Sequence, residues 1–266
     1  MLDHLYAASP LVLAHRGALR DAPENTLAAF RRAMALGADG VELDVKLTRD
    51  GVPIIMHDAT ADRTTDGTGR IADLTLAELK SLDAGSWFDV EFKGERVPRL
   101  DEAFEELGSR AIVNVELTNY ATSQDGLEAK VVELIHRHNL SRRVILSSFN
   151  PMSIRRVKQL DPSLPTAILT MPGLAIWLRR VWLAPFVPHE ARHPERSEVS
   201  EAYMRGCRRR RLRVNAWSPA ELDDKPDEVR RLVALGVDGI ICNQPEVVNA
   251  VLGRASQTNP KSKKTI

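Results

Sequence analysis

Apolar residues fall into short, nearly continuous runs along the chain. They lie at 11–14 (LVLA), 40–45 (GVELDV), 53–56 (PIIM), 112–117 (IVNVEL), 144–148 (VILSS), 166–169 (TAIL), 212–217 (LRVNAW) and 238–242 (DGIIC). Rich in Val, Ile and Leu and without clean alternation, these runs predict strands buried on both faces of a parallel sheet. The period changes between them. Residues 25–36 place Leu27, Phe30, Ala33 and Met34 on one helical face, and Gly37 ends the helix. Helices are also predicted at 126–139, 151–160, 226–235 and 245–252, with Pro226 and Pro245 in first turns.

Eight strands joined mostly by helices predict an α/β protein folded as a TIM-type (β/α)8 barrel. Two connections depart from regularity. Thr48-Arg49-Asp50-Gly51 reads as a tight turn between the second and third strands. The stretch 58–111, with its Trp87-Phe88 pair, is too long for one helix and reads as a small insertion after strand 3, over the barrel mouth. The expected organisation is one barrel domain over 1–253, followed by a disordered tail at 254–266, where no periodicity is found. No internal repeat is evident.

At 266 residues and 43% hydrophobic, the chain carries enough apolar side chains for a large core. Lys plus Arg number 37 and Asp plus Glu 36, so no global field favours nucleic acid, and no nucleic-acid partner is expected. Two cysteines, Cys207 and Cys242, provide neither a disulfide framework nor a metal spacing. The start lacks a basic segment followed by an apolar one, and no apolar run reaches the ~18 residues a membrane span needs. A soluble, cytoplasmic protein is the expectation.

Chemistry in such a barrel sits at the carboxyl ends of the strands. Those ends carry His15-Arg16-Gly17, Glu42-Leu43-Asp44, His57-Asp58, Glu116, Ser148-Phe149, Trp217 and Asn243. Glu42 and Asp44, at i and i+2 of a strand, share one face. They repel one another unless a cation compensates, either a Lys or Arg side chain or a metal. Glu116 supplies a third oxygen, suited to a divalent cation such as Mg²⁺ or Ca²⁺. Two histidines beside that cluster suit general acid–base catalysis. Arg16 suits a phosphate oxygen.

The ordered set AHRG, APENTLAAF, GADGVELDVKLTRDGVPIIMHD, TTDGTG, KGERVPRLDEAFE, NVEL, SSFN, VNAW and GVDGIICNQPE resembles the glycerophosphodiester phosphodiesterase family over about residues 11–250. The resemblance implies a divalent-metal hydrolase that splits glycerophosphodiesters into glycerol 3-phosphate and an alcohol, through a cyclic phosphate. It makes His15 and His57 the acid/base pair, Glu42, Asp44 and Glu116 the metal ligands, and Arg16 a phosphate ligand. Asn25, with Glu24, matches a motif near the site, or else caps the following helix. Trp217 matches an aromatic residue lining the pocket. Two positions depart from the family's pattern. Thr118 stands where many members carry a phosphate-binding Lys, and Lys46, on the same strand face as Asp44, either supplies that charge instead or lies on the solvated rim. Asn243 stands where an Asp is usual. Residues 174–188 (LAIWLRRVWLAPFVP) read either as a helix buried on the barrel or as an amphipathic lip making peripheral membrane contact. With such a lip the alternative function is a lysophospholipase D-like phosphodiesterase acting on lysophospholipids. A binder without catalysis is a further alternative, against which the two histidines speak. Six arginines in 205–213 read as a solvated helix end, and they are expected to lower the pKa of Cys207.

Overall fold

A computed structural model describes residues 4–120, 124–174 and 187–254. Its strands are β1 (Leu11–Ala14), β2 (Gly40–Leu47), β3 (Pro53–Ile55), β4 (Ile112–Leu117), β5 (Val144–Ser148), β6 (Thr166–Thr170), β7 (Ala191–Pro194), β8 (Arg213–Trp217) and β9 (Gly239–Cys242). All but β3 run parallel in one closed ring. Leu13 of β1 pairs with Gly40 on one side and Ile241 on the other, which shuts the barrel. The helices outside it are α1 (Leu27–Ala35), α2 (Leu76–Ser81), α3 (Leu100–Leu107), α4 (Leu127–Arg137), α5 (Pro151–Leu160), α6 (Glu201–Arg209), α7 (Pro226–Leu235) and α8 (Pro245–Val251).

The (β/α)8 barrel is the predicted fold, but one of its eight strands differs from the expected set. Residues 53–56 do not join the ring. β3 folds back antiparallel on β2, with Val45 facing Ile55 and Leu47 facing Pro53. The missing ring strand is β7, Ala-Arg-His-Pro, which pairs with β6 and β8. It lacks the Val/Ile/Leu run used to find strands because its inward side chains are the small Ala191 and the polar His193. Burial pushes the His193 imidazole down to about 3, so it stays neutral inside the barrel.

Strand parity divides the core. Outward residues such as Val41, Leu43, Val45, Val113, Val115 and Leu146 pack under α1, α3 and α4. Inward residues including Leu11, Leu13, Ile112 and Ile145 form a second cluster, closed off by Leu5 and Tyr6 and reaching up to Ile241 in the cavity wall. Polar side chains also point inward: Asn114 donates to Ser147 Oγ, and Asn215 donates to Tyr6 Oη. Between β3 and β4, α2 and its flanking turns close on a separate small cluster of Ile54, Met56, Ala61, Ile71, Leu79, Ala84 and Val97. The Thr75–Glu78 capping box starts α2.

Two turns at the base share one build. Gly37-Ala38-Asp39-Gly40 and Gly236-Val237-Asp238-Gly239 each open with a glycine at positive φ. In each, the aspartate accepts the amide of a neighbouring strand, Val12 for Asp39 and Val214 for Asp238. Arg254 clasps the seam between the chain's ends: it donates to Asp39, to the carbonyl of Ala8 and to that of Pro10. The basic stretch 205–213 ends on β8's first residue, so it lies at this base, remote from the mouth. There Arg208 donates to the Leu235 carbonyl and Arg213 pairs with Asp238. Against expectation, burial outweighs the nearby arginines and pushes the Cys207 thiol up.

A Cβ at Gly40 would lie 1.9 Å from the Ile112 carbonyl oxygen of the neighbouring strand. Gly40→Ala should therefore force β2 and β4 apart and cost about 3 kcal/mol. Urea unfolding measures this, and a loss under about 0.5 kcal/mol, the range of a neutral surface change, would show that the strands part easily.

Candidate active site

Register and parity assemble the acidic cluster. Asp44 and Glu116 are direct partners across β2 and β4, and Glu42 lies two residues below Asp44 on the same inward face. One oxygen from each lies within 4.8 Å of the others. All three are buried. Burial and mutual repulsion push the Glu42 and Glu116 carboxyls up. Burial also works to raise Asp44, but Arg16, His57 and Asn25 outweigh it and hold that carboxyl down. Glu42 Oε1 is buried with no hydrogen-bond partner. Three converging carboxylates and an orphaned oxygen fit a hard divalent cation, which accepts six to eight oxygen ligands in the case of Ca²⁺.

The chain after β1 is bent to reach this cluster. Arg16 adopts φ +55°, unusual for a residue with a long side chain, and Gly17 follows at φ +82°. A Cβ on Gly17 would meet Ala29 at 2.7 Å, so only glycine lets α1 come this close. The Arg16 amide donates to Glu42 Oε2 at 3.0 Å, and its guanidinium reaches Glu24 at 2.9 Å and Asp44 at 3.5 Å. Asn25 does not cap α1; Thr26 does, accepting from the Ala29 amide. Asn25 instead sits at φ +58° and donates Nδ2 to Asp44 Oδ2 at 2.9 Å. Its motif position therefore belongs to the site because it holds Asp44.

The two histidines are held differently. Asn243 spends its amide N–H groups on the carbonyls of Pro219 and Leu222, at 2.8 and 2.6 Å. Only its Oδ1 is left for His15 Nδ1, at 2.9 Å, so His15 must carry its proton on Nδ1. Nε2 is then bare and lies 3.9 Å from Glu42 Oε2. Burial first, then Arg16, pushes His15 down to about 4. The neutral Asn243 thus makes the hydrogen bond that an Asp would make. His57 sits two residues beyond β3, on an arm tied to β2 by the Met56 amide donating to the Asp44 carbonyl. Its Nδ1 is bonded to Asp58 at 2.7 Å. Arg63 grips both Asp58 and Glu24, which joins the His57 arm to the Arg16 loop.

Lys46 is not on a solvated rim. Its Nζ donates to Thr118 Oγ1 at 2.6 Å, and that hydroxyl gives its own proton to the Val45 carbonyl at 2.8 Å. A cation therefore stands over the position where Thr118 itself brings none. Burial lowers the Lys46 ammonium, opposed by Asp44 and Glu116.

A cavity of about 390 Å³ opens above the cluster, lined by His15, Arg16, Glu42, Asp44, His57 and Glu116 on one side. Phe149, Leu169, Met171, Trp217 and Ile241 line the other. A second space of about 440 Å³, with Lys46, Arg70 and Tyr120, adjoins the far side of His57. Trp217 donates its indole N–H to the Thr170 carbonyl and stands 6.4 Å from the His15 ring. Three groups here carry no sequence signal strong enough to single them out. Tyr120, four residues past Glu116, donates to Glu116. Arg63 lies in the irregular stretch after β3. Glu195, the residue after the unrecognised strand β7, lines the cavity.

Placing its chemistry at the carboxyl ends of barrel strands puts the chain among the TIM-barrel enzymes. Residues 15–247 match the glycerophosphoryl diester phosphodiesterase family, and the chain belongs to it. It is 41% identical over 240 residues to a glycerophosphodiester phosphodiesterase of Caldanaerobacter subterraneus subsp. tengcongensis, covering 90% of this chain and 96% of that one. It is 32% identical over 256 residues to one of Bacillus subtilis, covering 91% and 86%. Among solved structures, an Oleispira antarctica phosphodiesterase in complex with the product sn-glycerol-3-phosphate superposes with a TM-score of 0.83 at 31% identity, covering 94% and 99%.

Removing the group that steadies Asp44 should weaken cation binding more than folding. Asn25→Ala is expected to lower Mg²⁺ or Ca²⁺ affinity at least tenfold in a calorimetric titration. Unchanged affinity would mean that Asp44 is oriented without Asn25.

Proposed function

We propose that the chain hydrolyses glycerophosphodiesters to glycerol 3-phosphate and an alcohol, with His15 as base and His57 as acid. The observation that carries the assignment is the Asn243 amide, which leaves His15 Nε2 as a bare lone pair facing the cavity. Asp58, held well below the usual carboxylate range by Arg63 and then by His57, keeps an anion against His57 Nδ1.

Glu42, Asp44 and Glu116 would hold a divalent cation, Mg²⁺ or Ca²⁺, whose charge lets the three carboxylates ionise together and draws electrons from the phosphate oxygens. Arg16 presents its guanidinium to the same phosphate. His15 takes the proton of the glycerol hydroxyl next to the phosphoester, and the freed oxygen attacks phosphorus. His57 gives its proton to the departing alcohol, leaving a cyclic phosphate. Water then opens the ring with the roles reversed: His57 accepts the water proton and His15 returns its own to the ring oxygen. The product complex of the Oleispira relative supports the same end product here.

The apolar wall of Leu169, Met171 and Ile241 supports a second reading in which the substrate keeps an acyl chain. The lip at 174–188 that would extend this wall lies outside the described residues between 175 and 186. Among the described residues, no helix is long and apolar enough to cross a membrane.

The test is turnover of glycerophosphocholine and lysophosphatidylcholine by chelator-stripped protein with Mg²⁺ or Ca²⁺ restored. Metal-dependent release of glycerol 3-phosphate is expected, abolished in Glu42→Ala and reduced about 10²- to 10⁴-fold in His15→Ala. Turnover of the lysolipid alone would shift the substrate class, and turnover of neither would end the proposal. Nitrogen-15 NMR of the His15 ring at neutral pH should show Nδ1 protonated and Nε2 bare. An Nε2–H tautomer would remove the base.

A further inference from the structure

Glu195 is the third inward position of β7's register, following Ala191 and His193, and it stands where β7 meets the cavity. Its backbone bridges both neighbours: the amide donates to the Thr170 carbonyl, and the residue pairs with Trp217. In the ring order β1-β2-β4-β5-β6-β7-β8-β9, β7 lies four strands from β2. Glu195 therefore faces the Glu42–Asp44 strand across the mouth. It is 8% exposed. Its carboxylate accepts from the Ser197 amide at 3.1 Å and the Ser197 hydroxyl at 2.6 Å. Among the described residues no Lys, Arg or His forms an ion pair with it. Its neighbour Arg196 is engaged with Asp224, Ser218 and the Asp223 carbonyl. The cavity's own arginine, Arg16, is held by Glu24 and Asp44. A buried carboxylate without a cation is costly unless one is supplied from outside.

The wall around Glu195 is aromatic. Trp217 stands edge-on to Phe149 at 6.0 Å, and Phe149 to Tyr120 at 6.1 Å, forming an arc from β8 to the end of β4. Met171, Pro172 and Pro219 complete that side, and Glu221 adds a second carboxylate to the lining. Aromatic faces together with an anion are how proteins hold quaternary ammonium groups. A neutral polyol in this half of the cavity would leave the charge of Glu195 unmatched.

We propose that the half of the cavity formed by Glu195, Trp217 and Phe149 is a subsite for a cationic alcohol, of the choline or ethanolamine class, on the substrate diester. This rests on the phosphodiesterase reading above. The phosphate lies against the β2–β4 side, and the ammonium spans the mouth to β7. Glu195 thereby selects the substrate's headgroup and leaves the choice of scissile bond to the carboxylate side.

Two measurements on the full chain test it. In calorimetry, choline chloride should bind at least tenfold more tightly than 3,3-dimethylbutan-1-ol, its uncharged carbon analogue, and Glu195→Gln should erase that difference. Gln keeps an oxygen for the Ser197 amide, so the local turn survives while the charge goes. In turnover, the kcat/KM ratio of glycerophosphocholine to glycerophosphoglycerol should fall about tenfold in Glu195→Gln, mostly through KM, and recover in part in Glu195→Asp. Lysophosphatidylcholine against lysophosphatidylglycerol tells whether the same headgroup is taken from a lipid, and a choline preference in either pair supports the subsite. Equal binding of choline and its neutral analogue, or parallel loss on both diesters, would overturn the proposal and leave Glu195 as a turn cap. Should the wild type cleave neither diester, the reaction assignment fails on its own, and the choline titration still decides the subsite.

Discussion

Three buried carboxylates converge on the inward face of two neighbouring strands, at the floor of the cavity. At such separations like charges repel strongly once the surroundings are less polarisable than water. The protein's own groups relieve this only in part. Arg16 and Asn25 bring Asp44 into its charged form, while Glu42 and Glu116 are driven toward holding protons. The rest of the mouth is arranged around that imbalance. The Arg16 backbone is bent to place both amide and guanidinium against the cluster, Gly17 admits α1 close behind it, and Tyr120 steadies Glu116. A divalent cation entering here would displace protons as it binds, so occupancy and protonation are linked.

The hairpin arm of β3 completes the constellation from outside the ring. It pairs only with β2, and antiparallel, so it stays outside the ring. It carries His57 and Asp58 to the rim, and Arg63 locks that pair to Glu24 and so to Arg16. His15 is thus fixed inside the barrel by β1 and the end of β9, whereas His57 rides on an arm. Of the two histidines only His57 is substantially exposed, with 43% of its side chain open to solvent. Such exposure suits the proton donor that the proposed mechanism makes of His57.

Most of the barrel and the carboxylate cluster were legible in the sequence because both follow from parity. Val41, Leu43 and Val45 pack outward, which obliges Glu42 and Asp44 to point in, and no tertiary information is needed to see it. β7 was not legible, because its interior face is Ala191 and His193. A strand that fills the barrel with a small side chain and a neutral imidazole leaves no apolar run to find, and Glu195 was lost with it. Asn25 was ambiguous for a different reason. Caps and ligand-orienting side chains draw on the same residue types, and only the positive φ at Asn25 and the hydroxyl of Thr26 separate the two. Lys46 was left between two places because its partner, Thr118, follows another strand.

Arg254 has a consequence for how the molecule can be held. Its guanidinium ties the segment after α8 to the carbonyls of Ala8 and Pro10 and to Asp39, so both described ends of the chain leave from the base of the barrel. The mouth opens at the opposite pole. A partner docked against the base, beside Ala8, Pro10 and Arg254, would therefore leave the cavity open on the far side. Joining the two ends and cutting the chain in a surface loop would leave the ring order of strands intact.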